Sequence, residues 1–142
     1  MTIAAILEAN SHPIHQASGE DSVAEVAAKL AEFRIGALPI TEGGEVKGIF
    51  SERDLVYGIA RSGAAMLEQK VSEAMTAPAI TVSADTAVLS ALSLMTKRRI
   101  RHLPVIDDNG ICGFVSIGDL VKYRIEKIEA EANAMRDYIQ MA

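Results

Sequence analysis

Tryptophan is absent from this chain, and three tyrosines and three phenylalanines are its only aromatics in 142 residues. Its core must therefore be built from Ala, Val, Ile, Leu and Met. A single cysteine, Cys112, excludes an internal disulfide framework and fits a reducing compartment. No apolar run approaches the ~20 residues of a membrane span. The start of the chain lacks the basic residues and long apolar stretch of a signal peptide, so the cytoplasm is the expected location. A net charge of −5 gives no general attraction to nucleic acid or anionic membrane. Catalytic signatures are missing as well: there is no Gly-x-x-x-x-Gly-Lys loop, dinucleotide fingerprint, Gly-x-Ser-x-Gly elbow or His-Glu-x-x-His. The three histidines, His12, His15 and His102, form no metal-ligand pattern with Cys112, and on a strand His12 and His15 would point to opposite faces. Mid-strand among apolar residues, Cys112 reads as an inert thiol.

What the chain does have, it has twice. Sliding the sequence by 65 residues superposes Leu38-Pro39-Ile40 on Leu103-Pro104-Val105 and Gly48 on Gly113. The same shift superposes Ser51-x-x-Asp54-Leu55-Val56 on Ser116-x-x-Asp119-Leu120-Val121. Ten of the 34 positions between Val23/Val88 and Val56/Val121 are identical, against about two from ordinary composition. Two half-domains of about 60 residues follow, each marginal alone and each expected to fold against the other. The boundaries read as 1–62 for the first repeat, 63–70 for a linker, 71–126 for the second repeat and 127–142 for a helical extension.

Each repeat reads as helix, strand, helix, strand, strand, helix. Ile3–Ala9 and Val71–Met75 are short apolar helices at an offset of 68, which puts three extra residues around Asn10-Ser11-His12. Short strands are expected at His12–Ala17 and Ala79–Val82. A capping box at Ser22–Glu25 opens an amphipathic helix with Val23, Val26, Ala27, Leu30 and Phe33 on its buried face. Its counterpart starts at Asp85-Thr86 and is expected to bury Val88, Leu89, Leu92 and Met95. Gly43-Gly44 and Asn109-Gly110 turn two β-hairpins. Proline in Leu-Pro requires an edge position or the beginning of a strand. The last helix carries Val121, Ile125, Ile128, Ala132, Met135 and Ile139 in steps of four and three. That spacing is a short heptad seam, for a partner helix or for the chain's own domain.

Ser51-x-x-Asp54 and Ser116-x-x-Asp119 are the informative pair. Singly, each is a helix N-cap, with serine and acid satisfying free N–H groups. A helix N-terminus is also a seat for phosphate, and a fixed aspartate can accept two hydrogen bonds from vicinal hydroxyls. Capping does not explain why Gly48 and Gly113 recur in register, since glycine weakens a strand unless something approaches the backbone closely.

Two copies of Leu-Pro-Ile/Val … Gly-x-x-Ser-x-x-Asp-Leu-Val at this spacing resemble the cystathionine β-synthase (CBS) domain pair, or Bateman module, from Ile3 to about Ile125. The resemblance implies an α/β (α+β) fold of two pseudo-twofold-related repeats. Each would be a small three-stranded sheet with helices, stacked sheet to sheet with matching clefts between. It also implies a regulatory, non-catalytic module that binds AMP, ADP, ATP, NAD or S-adenosylmethionine. In that family the Ser and Asp hold ribose and phosphate, which carries onto Ser51, Asp54, Ser116 and Asp119. Backbone near the first strand commonly reads adenine, pointing to His15, Gln16, Ala17, Ile80, Thr81 and Val82. Basic residues ahead of Leu-Pro often reach phosphate in relatives, which points to Arg101 and His102. Arg53, inside the first Ser-x-x-Asp and replaced by Gly118 in the second, is a further phosphate candidate, so unequal sites are expected. The expected assembly is a homodimer acting on a regulated partner protein. The competing readings are an interaction scaffold whose motifs only cap helices, and a nucleic-acid binder using Lys97–His102. Against the latter stand the acidic balance and the lack of interleaved aromatics.

Overall fold

The computed structural model of the chain describes residues 1–10 and 12–141, so Ser11, in the expected insertion, lies outside the described residues. The order is α1 (Ile3–Ala9), α2 (Val23–Phe33), β1 (Ala37–Glu42), β2 (Glu45–Ser51) and α3 (Glu52–Ser62), then a 3-10 turn at Gly63–Glu68. The second half follows with α4 (Val71–Ala74), α5 (Val88–Arg98), β3 (His102–Asp107), β4 (Gly110–Ser116) and α6 (Ile117–Met141). Both hairpins are antiparallel, and both carry a register shift at the same relative place, between Ile40 and Thr41 and between Val105 and Ile106. The mixed α/β architecture of two equivalent halves is the expected one.

The third strand of each half is reduced to a single residue. Ala17 makes one parallel bridge to Ile40, and Val82 one to Val105. That contact also explains the prolines. The Ala17 N–H donates to the Pro39 carbonyl (3.2 Å) and the Val82 N–H to the Pro104 carbonyl (3.0 Å). Each proline therefore turns its missing donor toward this loosely paired edge and not toward the hairpin partner.

Two helix faces differ from the expected amphipathic pattern. Leu89 is 57% exposed, while Ala91 is fully buried. Leu89 lies about 100° around the helix from Val88 and cannot share its inward face. Phe33 is also exposed, its ring stacked on His15 at a centroid distance of 3.8 Å.

The two cores are closed reciprocally. Ile3 and Ile6 of α1 are buried in the cluster formed by Val88, Ala91, Met95, Leu103, Val105, Val115 and Leu120 of the second half. Val71 of α4, with Met66, fills the first-half cluster of Val23, Val26, Leu30, Leu38, Ile40 and Phe50. Backbone bonds pin both exchanges: Ile3 N–H to the Thr86 carbonyl, and Val71 N–H to the Asp21 carbonyl. The hairpin tips also meet, where Ile111 N–H donates to the Gly44 carbonyl. A Cβ on Gly110 would stand 2.5 Å from that same oxygen.

The recurring strand glycines serve the same exchange. A Cβ on Gly48 would lie 2.7 Å from the Thr76 carbonyl oxygen and 2.7 Å from Met75 Sδ. At Gly113 it would lie 2.6 Å from Leu7 Cδ2. What approaches these backbones is therefore the chain's own α4 end and α1. Backbone cannot yield as a rotatable leucine can. We expect Gly48→Ala to cost more stability than Gly113→Ala, about 1–3 kcal/mol against the lower end of that range. Chemical denaturation of both variants checks the order.

Candidate functional site

Ser51 ends β2 in an extended conformation and starts α3 as its N-cap. Its N–H and hydroxyl both donate to Asp54 Oδ2, at 2.9 and 3.1 Å, and Asp54 N–H returns a bond to Ser51 Oγ at 3.3 Å. The second copy repeats the core of this box. Ser116 N–H donates to Asp119 Oδ2 at 2.9 Å, and Asp119 N–H to Ser116 Oγ at 3.2 Å. Capping is thus real in both copies. It also locks each carboxylate against a helix N-terminus, where anions are favoured.

Each motif opens into a cavity whose far wall is supplied by the other repeat. Ser51, Arg53 and Asp54 share a cavity of about 370 Å³ with Ile80, Arg101 and His102 of the second half. Ser116 and Asp119 share one of about 660 Å³ with His15, Phe33 and Arg34 of the first half. Both volumes fall within the range of small-molecule sites. Arg53 reaches across the halves, Nη1 donating to the Arg99 carbonyl at 3.0 Å. That leaves most of its five donors free. The basic run divides here: Lys97 and Arg98 close α5, while Arg101 and His102 line the first cavity.

Of the six residues expected near adenine, Gln16, Ala17, Thr81 and Val82 do not line these two cavities. Ala17 and Val82 are buried in the bridges to β1 and β3. Gln16 accepts from the Thr41 hydroxyl at 2.9 Å, and neither it nor Thr81 lines either cavity. His15 and Ile80, one on each side, do line them. Thr76 is a residue that repeat comparison missed. Its hydroxyl donates to Asp54 Oδ1 at 2.8 Å on the first cavity's floor. At the offset of 68 its counterpart is Glu8, so no repeated letter marks it.

His102 lines both cavities and stacks on Phe114 at 5.6 Å. Burial holds its pKa below the ordinary 6.5, outweighing the upward pull of Asp119 and Glu52, and Arg101 pushes the same way as burial. At neutral pH His102 is therefore a neutral donor or acceptor. Burial likewise raises the Cys112 thiol above its ordinary 9.0, with Asp107 adding to the shift, so the thiol stays protonated and unreactive. Among the described residues no cluster of His, Cys, Asp and Glu could hold a metal, and no helix is long and apolar enough to cross a membrane.

This two-repeat arrangement, with each cleft walled by both halves, is that of a tandem module. The CBS domain matches at residues 6–61 and again at 71–126, and the chain belongs to the CBS domain family. It is similar to a CBS-domain protein from Agrobacterium tumefaciens, with a TM-score of 0.83 and 36% identity over 87% of this chain and 99% of that one. The CBS pair of protein MJ0100, in complex with 5′-methylthioadenosine and S-adenosylmethionine, gives 0.77 at 28% identity, over 89% and 98%. A CBS domain protein from Pyrobaculum aerophilum complexed with AMP gives 0.74 at 25% identity, over 84% and 89%. A mitochondrial CBS domain-containing protein of Arabidopsis thaliana is 38% identical over 126 residues, 85% of this chain. The chain spans 61% of that relative's length.

The depressed His102 pKa has a consequence for stability. The unfolded chain takes up a proton near 6.5, the folded chain only at lower pH, so between those values the unfolded state binds more protons. Stability therefore falls as pH drops through that window. We expect His102→Gln to lose less melting temperature than wild type between about pH 7.5 and 5.5, a window around the ordinary histidine value. Parallel slopes in a thermal-shift series would leave His102 without this role.

Proposed function

We propose that this chain is a non-catalytic regulatory module that binds adenine nucleotides, AMP foremost and ADP, ATP, NAD or S-adenosylmethionine as related ligands, in the clefts between its two CBS repeats. The observation that carries the reading is the first cavity. It joins a capped helix N-terminus and the Asp54 carboxylate to Arg53, Arg101 and the apolar Ile80. A ribose would donate to Asp54 or Asp119, a phosphate would sit at Ser51 or Ser116, and Arg53, Arg101 and His102 would serve the phosphate of the first cavity. Neighbours crystallised with AMP or with S-adenosylmethionine support the ligand class. The reading extends to a cytoplasmic protein that acts on a partner it regulates.

Phosphate recognition is testable through the arginines. An arginine–phosphate pair within a cleft outweighs an exposed ion pair, worth about 0–1 kcal/mol. AMP should bind ahead of adenosine, and Arg101→Ala should erode that preference while leaving adenosine binding nearly unchanged. Arg53→Ala should do the same and also release its bond to the Arg99 carbonyl. Calorimetry that found adenosine and AMP equivalent in the wild type would overturn the phosphate assignment.

A homodimer belongs to the same proposal. Val121, Ile125, Ile128, Met135 and Ile139 are 41–64% exposed along α6, so the seam is not satisfied within the chain. Val56 and Tyr57 of α3 add two further exposed apolar side chains, each 61% exposed. Residues 129–141 are all exposed. Deleting 129–142 should therefore weaken self-association and spare both cores. An unaltered dissociation constant by light scattering would remove the seam from the interface.

A further inference from the structure

We propose that Thr76 makes the two cavities unequal readers of a vicinal diol, so that the cavity at Asp119 requires both ribose hydroxyls and the cavity at Asp54 only one. The inference rests on the nucleotide reading above and concerns which hydroxyls each site reads. A carboxylate offers about four acceptor positions. At Asp54 three are taken, two on Oδ2 by the Ser51 N–H and hydroxyl and one on Oδ1 by the Thr76 hydroxyl. One position on Oδ1 remains for a ligand. At Asp119 the Ser116 N–H takes one position, and no other donor reaches the carboxylate among the described residues. Among the described residues, nothing donates to Oδ1 of Asp119, which leaves it for a ligand.

Thr76 is not a loose competitor that a ligand simply displaces. Its N–H and carbonyl exchange 2.9 Å bonds with the carbonyl and N–H of Ile49, which fixes the backbone from which the hydroxyl is presented. A second ligand hydroxyl in this cavity must settle for the neutral Thr76 oxygen as acceptor. A bond to a neutral acceptor is roughly half as strong as one to a carboxylate. The counterpart of Thr76, Glu8, is exposed and does not line the Asp119 cavity. Among the described residues, no equivalent restriction exists there.

The test is calorimetric titration of the full chain with AMP, 2′-deoxy-AMP and 3′-deoxy-AMP. Asp54→Asn isolates the Asp119 cavity and Asp119→Asn isolates the Asp54 cavity, asparagine preserving much of each cap. In D54N both deoxy analogues should bind about tenfold or more weaker than AMP, as loss of a charge-assisted bond implies. In D119N one analogue should weaken that far and the other stay within about threefold, as expected for a bond to a neutral group. Adding Thr76→Val to D119N should make the second analogue weaken like the first, and Thr76→Ser, which keeps the hydroxyl, should not. Identical patterns in D54N and D119N, or a pattern indifferent to Thr76→Val, would overturn the inference and leave nucleotide binding standing. Wild-type protein that fails to bind AMP at all would remove the nucleotide reading itself, and this inference with it.

Discussion

Everything in this fold depends on the reciprocal exchange of two short helices. Neither half closes its own core: α1 delivers Ile3 and Ile6 to the second half, and the segment around α4 delivers Met66 and Val71 to the first. A fully buried side chain of this size contributes about 1.5–3 kcal/mol. Withdrawing either helix would cost a large part of the stability of a half-domain this small. The exchange also fixes where the halves sit. With α1 over β4 and the α4 end over β2, the hairpin tips meet at Gly44 and Ile111. The helix starts at Ser51 and Ser116 then face strands from the opposite half.

The glycines and prolines follow from that constraint. Gly48 and Gly113 are the strand positions over which the exchanged segments pass, and a side chain at either would push them off. Pro39 and Pro104 lie where each hairpin borders a strand of only one residue, so a missing N–H is tolerated. The same sparse edge leaves the segments before Ala17 and Val82 free of a ladder, and His15 and Ile80 come from them to the cavity walls.

Duplication makes the two cavities equivalent in backbone, and sequence divergence makes them unequal in chemistry. The first holds two arginines, with Thr76 beside its aspartate. The second is larger, walled by the stacked His15 and Phe33, and leaves its carboxylate open. His102 belongs to both, and its burial keeps it neutral where a solvated histidine would begin to charge.

The amino-acid sequence alone determined the repeat, the hairpins, the capped helices and the identity of the Ser-x-x-Asp pair. These are local features: turn glycines, caps and side-chain periodicity act within a few residues, and a duplication advertises them twice. Periodicity misjudged Leu89 and Phe33 because helix spacing marks a face without stating what will cover it. The strands expected at His12–Ala17 and Ala79–Val82 shrank to single bridges because strand pairing needs a partner edge, which the local chain cannot supply. Only the tertiary structure decided that Gly48 and Gly113 yield to the chain itself, that Ser51 faces Arg101, and that Thr76 reaches Asp54. Each of these is a meeting of segments at least 22 residues apart for Thr76 and Asp54, and it is set by which core the exchanged helices fill. No pattern in either repeat alone carries that information.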